Sequence, residues 1–184
     1  MKTTLITGGL GFIGSNICDS LLQKKYTDKC ILLDNFGGYM NPIKDSFIDF
    51  RKQRFPSLKN IIIERCDTSN YKALSSIINK YKPNYIYHTA ALPLAKVSNL
   101  NNEEAKISSV DSTVNIIDAI KYDLKKVNSK LDILLLQPTS PFRSYVRIKN
   151  AIKYYKKIGR SLPNECDVDN INNMRNMFVI LIIL

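Results

Sequence analysis

Four glycines and one aspartate near the start of this chain have the types and spacing that chemistry needs. Gly8, Gly9, Gly11 and Gly14 satisfy both Gly9-x-Gly11-x-x-Gly14 and Gly8-x-x-Gly11-x-x-Gly14, and Asp34 stands twenty residues beyond Gly14. Glycines at this spacing let a backbone turn sharply and come close to a diphosphate, with the N–H groups of a following helix aimed at it. An acid twenty residues on is placed to take the hydroxyls of the attached ribose. Together they read as a dinucleotide seat. An ATP-type P-loop is disfavoured, because no Gly-Lys-Ser/Thr closes the turn.

The elements around these residues have to be a strand, a turn and a helix. Lys2 to Thr7 is a short apolar run that reads as a buried strand, and Ile13, Ile17, Leu21 and Leu22 give the turn a helix to open. Lys29 to Leu33 is a second apolar run that ends in Asp34. Lys59 to Cys66 reads as a third strand stopped at Asp67, and Tyr71 to Tyr81 as a helix ended by Lys82-Pro83. Asn84 to His88 makes a fourth strand running into Thr89-Ala90-Ala91. Glu103 to Lys126 makes a long helix and Asp132 to Leu136 a fifth, fully apolar strand. Strands alternating with helices, with no hairpin dipeptide between them, predict parallel β-α-β units and an α/β doubly wound sheet. Such sheets bind ligands at the carboxyl ends of their strands. The glycine turn, Asp34, Asp67 and Ala90-Ala91 all fall there.

Composition narrows the function classes. The 184 residues suffice for one core. Four cysteines (Cys18, Cys30, Cys66, Cys166) form no C-x-x-C pair, and one histidine is present, so no metal site is expected. Scattered thiols and an N-terminus that goes directly into a strand suit a cytoplasmic protein. The formal charge of +11 comes mostly from dispersed lysines. Attraction to an anionic nucleotide explains it more cheaply than a nucleic-acid partner. The apolar end, Met177 to Leu184, is shorter than the roughly 20 residues of a membrane span. It reads as a sixth strand, a packing tail or the end of a truncated frame.

Thr7 to Ser15, Asp34-Asn35, Cys66-Asp67 and His88-Thr89-Ala90-Ala91 resemble the extended short-chain dehydrogenases, specifically the NAD-dependent nucleotide-sugar epimerases and dehydratases, over about Met1 to Ile120. The resemblance implies a Rossmann-type fold in which Gly8, Gly11, Phe12, Ile13 and Gly14 hold the pyrophosphate of NAD. Asp34 and Asn35 would take the adenosine ribose, Asp67 the adenine, and Ala90 with Ala91 the wall beside the cofactor. It further implies a nucleotide-sugar substrate and leaves a homodimer open, since relatives often pair through helices of this domain. A carboxylate at Asp34 favours NAD over NADP, whose 2′-phosphate would meet like charge. His88 reads as a pocket wall in preference to a general base.

The family's proton shuttle is a Tyr-x-x-x-Lys pair, in which the lysine lowers the tyrosine pKa. Tyr145 and Lys149 have that spacing after the fifth strand and become the candidate catalytic pair; Tyr122 and Lys126 share it elsewhere. Two departures stand out. Ser109-Val110-Asp111-Ser112-Thr113 replaces the family's Asn-Val-x-Gly-Thr, and little chain remains for a substrate domain, so the fold is expected truncated. A second resemblance, from Leu134 to Ser144 within 131–158, is to acylneuraminate cytidylyltransferases. We therefore draw an NAD-binding domain over 1–160 and a polar, then apolar tail over 161–184. Three readings stay open: the cofactor half of an epimerase or dehydratase, a non-catalytic NAD-binding module, and a nucleotidyltransferase fragment.

Overall fold

The computed structural model describes residues 1–37, 57–91, 102–127, 131–136 and 177–182, with Lys52, Gln53, Phe55, Val146, Lys149, Asn150 and Lys153 among the intervening stretches. Strand β1 (Thr3–Thr7) leads through the glycine turn into α1 (Phe12–Gln23), then β2 (Lys29–Asp34) and β3 (Ile61–Arg65). Helix α2 (Tyr71–Tyr81), β4 (Tyr85–His88), α3 (Asn102–Ala105) and α4 (Ser112–Val127) follow, and then β5 (Leu131–Leu136) and β6 (Met177–Ile182) among the described residues. The chain forms two compact units, Met1–Gln137 with Asn176–Leu184, and Pro138–Arg175.

All six strands are parallel and stand in the order β3-β2-β1-β4-β6-β5. The two faces of the sheet follow from strand alternation. Leu5, Ile31, Leu33 and Ile86 point to one side and pack with Leu74 and Ile78 of α2 and Ile116, Ala119 and Ile120 of α4. Ile6, Cys30, Leu32 and Tyr87 point to the other, where Ile17, Cys18, Leu21 and Leu22 of α1 cover them. Helices on both faces make the sheet doubly wound, as the alternation of elements predicts.

Three features add detail to the linear reading, and one of them, the break in the long helix, departs from it. The apolar end is a strand: β6 pairs with β4 through Tyr87↔Ile180 and with β5 through Leu134↔Ile180. It therefore occupies the place beside β4, and β5 goes to the edge. The expected single helix over 103–126 is interrupted by a π-helical stretch, Lys106–Asp111. The Ser112 and Thr113 hydroxyls donate to the carbonyls of Ser108 and Ser109, each at 2.7 Å. Side chains that take carbonyls four residues back compete with the α-helical ladder, and the backbone shifts to the wider turn. Helix α2 starts at Asn70, whose side chain accepts the Ala73 N–H at 3.1 Å, and stops at Lys82 in a left-handed conformation ahead of Pro83.

Candidate functional site

The first turn is built by backbone approach. Gly8 has a φ of +62°, and a Cβ placed on it would lie 3.0 Å from the Ala90 nitrogen. The turn after β1 therefore presses directly on the residue after β4. A Cβ on Gly14 would come within 2.8 Å of the Gly9 Cα and closer still to the Gly8 carbonyl oxygen, so α1 begins hard against the turn. The Gly11 N–H donates to the Gly8 carbonyl at 3.0 Å, and Gly11 then serves as the N-cap with no side chain to occupy it. The first N–H groups of a helix have no partner within it, and the helix dipole makes that end positive. The cradle from Gly8 to Gly14, with Phe12 and Ile13 in the first helical turn, is filled by backbone where any larger residue would intrude, and it suits a phosphate.

Two carboxylates sit at the neighbouring strand tips. Asp34, buried at the end of β2, accepts the Leu10 N–H at 3.0 Å through Oδ2 and the Phe36 N–H at 3.0 Å through Oδ1. It thereby fastens the glycine turn to β2 while each oxygen keeps a lone pair for another donor. Asp67, just past β3, accepts the Ser69 N–H and hydroxyl at 2.8 and 2.7 Å and the Asn35 amide at 3.2 Å. Partial burial works against its charge, but these hydrogen bonds outweigh it and hold the Asp67 pKa below the ordinary carboxylate value. Asn35 in turn accepts the Gly37 N–H at 2.8 Å. The fold thus brings Gly8, Gly11, Gly14, Asp34 and Ala90 into one connected set, with Asn35 and Asp67 as a bonded pair at its edge. Ala91 follows Ala90 as a half-buried residue.

His88 is buried at the tip of β4. Its Nδ1 lies 2.7 Å from the Thr7 hydroxyl, and its Nε2 lies 3.2 and 3.4 Å from the hydroxyls of Thr113 and Ser112. Burial lowers its pKa from 6.5 to about 4, so the ring is neutral at ordinary pH. Thr7, Leu10 and Ser112 lie within the quoted motifs with no role assigned to them there, and Ser69 and Asn115 lie outside those motifs. Asn115 donates to the carbonyls of Thr68 and Ser69 at 3.1 and 2.8 Å, tying α4 to the loop that carries Asp67. The signal available for Thr7 was its place at the tip of β1, directly before the glycine turn. Burial pushes the Cys66 thiol up to about 11, with the Asp67 and Glu64 charges adding to the effect. Among the described residues no group of His, Cys, Asp and Glu could hold a metal ion, and no helix is long and apolar enough to cross a membrane.

Lys149 is an exposed helical residue in the second compact unit. Tyr145 and the stretch from Gln137 to Ser144, with its cytidylyltransferase resemblance, lie outside the described residues.

A family model described as GDP-mannose 4,6 dehydratase matches residues 5–137. The chain is 25% identical over 127 residues to the bifunctional protein GAL10 of Kluyveromyces lactis, covering 68% of this chain and 17% of that one. It is 27% identical over 164 residues to an uncharacterized protein of Methanocaldococcus jannaschii, covering 87% and 49%. The chain spans less than half the length of these relatives. Among solved structures, the Thermus thermophilus UDP-glucose 4-epimerase complex with NAD superposes with a TM-score of 0.54 at 21% identity, over 73% of this chain and 37% of that one.

The His88 environment makes stability acid-sensitive. Unfolded, the ring titrates near 6.5; folded, near 4. Between these values the unfolded chain binds one more proton, so stability falls as pH drops through the window and is unaffected above it. Urea unfolding at pH 6.5 and pH 5 should show the wild type losing about 2 kcal/mol more than His88→Asn. Equal losses would place the acid sensitivity elsewhere.

Proposed function

The chain belongs to the GDP-mannose 4,6 dehydratase family, and from that premise we propose that the glycine turn and the strand tips beside it hold NAD for the oxidation of a nucleotide sugar. The observation that carries this reading is the uncapped start of α1 at Gly11, where a Cβ on Gly14 would meet the turn and Asp34 fixes the Leu10 amide. In this reading the N–H groups of the first turn of α1 take the pyrophosphate between Phe12, Ile13 and Gly14. Asp34, with a lone pair left on each oxygen, accepts from the adenosine ribose hydroxyls, and Asn35 lies next to it. Asp67 stands at the adenine end, and Ala90 with Ala91 form the wall. Bound NAD supplies a hydride acceptor, and later a donor, for the sugar carbon that bears the reacting hydroxyl. His88 is neutral, buried and engaged on both nitrogens, so it serves as wall and not as base. Proton transfer at the sugar hydroxyl we assign to Tyr145, with Lys149 lowering its pKa, on the strength of their spacing.

A second copy of the chain is the partner we assign to the helix after β4. Ile107, Val110 and Val114 are all solvent-exposed there, 40%, 54% and 47% respectively, within eight residues of one helical stretch. Aliphatic side chains concentrated in this way favour burial against another apolar surface.

Three outcomes are expected. Calorimetry should show NAD binding and no CTP binding, and Asp34→Ala should weaken NAD by roughly 10- to 100-fold, the value of hydrogen bonds to a charged group; equal affinity in the variant removes Asp34 from the ribose. Turnover of UDP-glucose or GDP-mannose should fall about 100-fold or more in Tyr145→Phe, and unchanged turnover takes Tyr145 out of the mechanism. Sedimentation equilibrium should find a dimer in the wild type and a monomer in Val110→Glu; a dimer in both moves the contact off this helix.

A further inference from the structure

The hydroxyl of Thr7 has more partners than freedom. It accepts the N–H groups of Thr89 and Ala90, each at 3.2 Å, and lies 2.7 Å from Nδ1 of His88. A hydroxyl has two acceptor lone pairs and one proton. With both lone pairs taken by amides, the proton goes to His88 Nδ1. The neutral ring then carries its own proton on Nε2, facing the hydroxyls of Thr113 and Ser112. Those two have already spent their protons on the carbonyls of Ser109 and Ser108, so they can only accept. Every hydroxyl and ring proton in this chain of bonds therefore has one direction to point, while the Thr89 N–H is shared between the Thr7 hydroxyl and the Thr7 carbonyl at 3.3 Å. Thr7, His88 and Ser112 are all at most 2% exposed, so water does not compete for them.

The two ends of the relay lie in different parts of the fold. One end is the Ala90 backbone, against which Gly8 presses. The other is the π-helical stretch that leads into α4. Ser112, standing where the resembling family has glycine, contributes the hydroxyl that joins the relay to that stretch.

We infer that His88 is a positioning residue for the dinucleotide seat: through Thr7 it holds the Thr89 and Ala90 amides in place, so that the wall after β4 stays closed on Gly8. The inference rests on the cofactor reading above, because it is the seat for NAD that is being positioned. His88 itself touches no reacting atom. Its contribution is the direction of one proton: an acceptor at the Nδ1 position lets Thr7 serve both amides, and an apolar side chain there leaves the Thr7 proton without a partner. A buried hydroxyl in that state turns to find another acceptor and releases an amide.

The chain contains one histidine, so its ring nitrogens give a single set of NMR signals. Spectra of the ring-labelled protein should show the proton on Nε2; a ring protonated on Nδ1, or a mixture, overturns the relay. NAD affinity should fall about tenfold in His88→Phe, roughly the value of one buried hydrogen bond. Most of that loss should return in His88→Asn, whose oxygen replaces the Nδ1 acceptor. Thr7→Val tests the same contact without touching the ring. It should weaken NAD by a similar factor and speed hydrogen exchange at Ala90, while the α2 amides keep their protection. Combining Thr7→Val with His88→Phe should add little to either alone. Wild-type affinity in His88→Phe, or full additivity in the double variant, refutes the positioning role and leaves the cofactor reading standing. A folded wild type that takes up no NAD refutes the cofactor reading, and with it any seat for His88 to position.

Discussion

The site depends on a steric constraint, the contact of the first turn with the residue after β4. Parallel pairing sets Thr7 level with His88, so the turns that leave the two strands start side by side. Gly8 then turns with a positive φ and comes against Ala90 at a separation that leaves no room for a side chain. The start of α1 is fixed by the same crowding, since Gly14 lies against Gly8 and Gly9. Moving either contact outward would rotate the helix N-terminus away from the strand tips, and the cradle would open.

Polar groups around this contact lock the geometry. Asp34 fastens Leu10 on one side of the turn and Phe36 on the other. Phe36 is held with a φ of +58°, a conformation costing on the order of 1 kcal/mol for a residue with a side chain. The Asp34 carboxylate on its amide and Arg65, 5.6 Å from its ring centroid, oppose that cost. On the β4 side Thr7 and His88 do the same work with neutral groups. The acid lies at the tip of β2 beside the glycine turn, while a neutral imidazole lies in the interior, where a charge would be expensive. No buried polar side-chain atom among the described residues lacks a partner, and the two arrangements share the task of keeping it so.

Much of this was legible in the chain itself. Glycine spacing, the acid twenty residues on, and strands of aliphatic residues alternating with helical periodicity gave the α/β class and put four strand tips together. Those signals are local: a turn that cannot hold a Cβ needs glycine, and a strand covered on both faces needs apolar residues throughout. The boundaries of α2 followed from its apolar periodicity and from the proline after it. The π-helical stretch did not, because the pattern of apolar residues across Lys106–Asp111 is compatible with either helix. What shifts it is a pair of hydroxyls whose bonding depends on the conformation itself.

The residues by themselves determined the glycine turn, Asp34 at a strand tip, and which faces of β1, β2 and β4 are covered, since each rests on sterics or on a short-range period. The tertiary structure alone decided that β6 lies between β4 and β5, and that Thr7, His88 and Ser112 meet. Leu131–Leu136 and Met177–Ile182 are both mostly apolar runs of six, and such runs carry no label for their neighbours. Sheet order is set by non-local pairing. Likewise, the relay joins residues 81 and 24 positions apart in the chain, and its direction follows from counting protons and lone pairs on groups that only the folded sheet brings within reach.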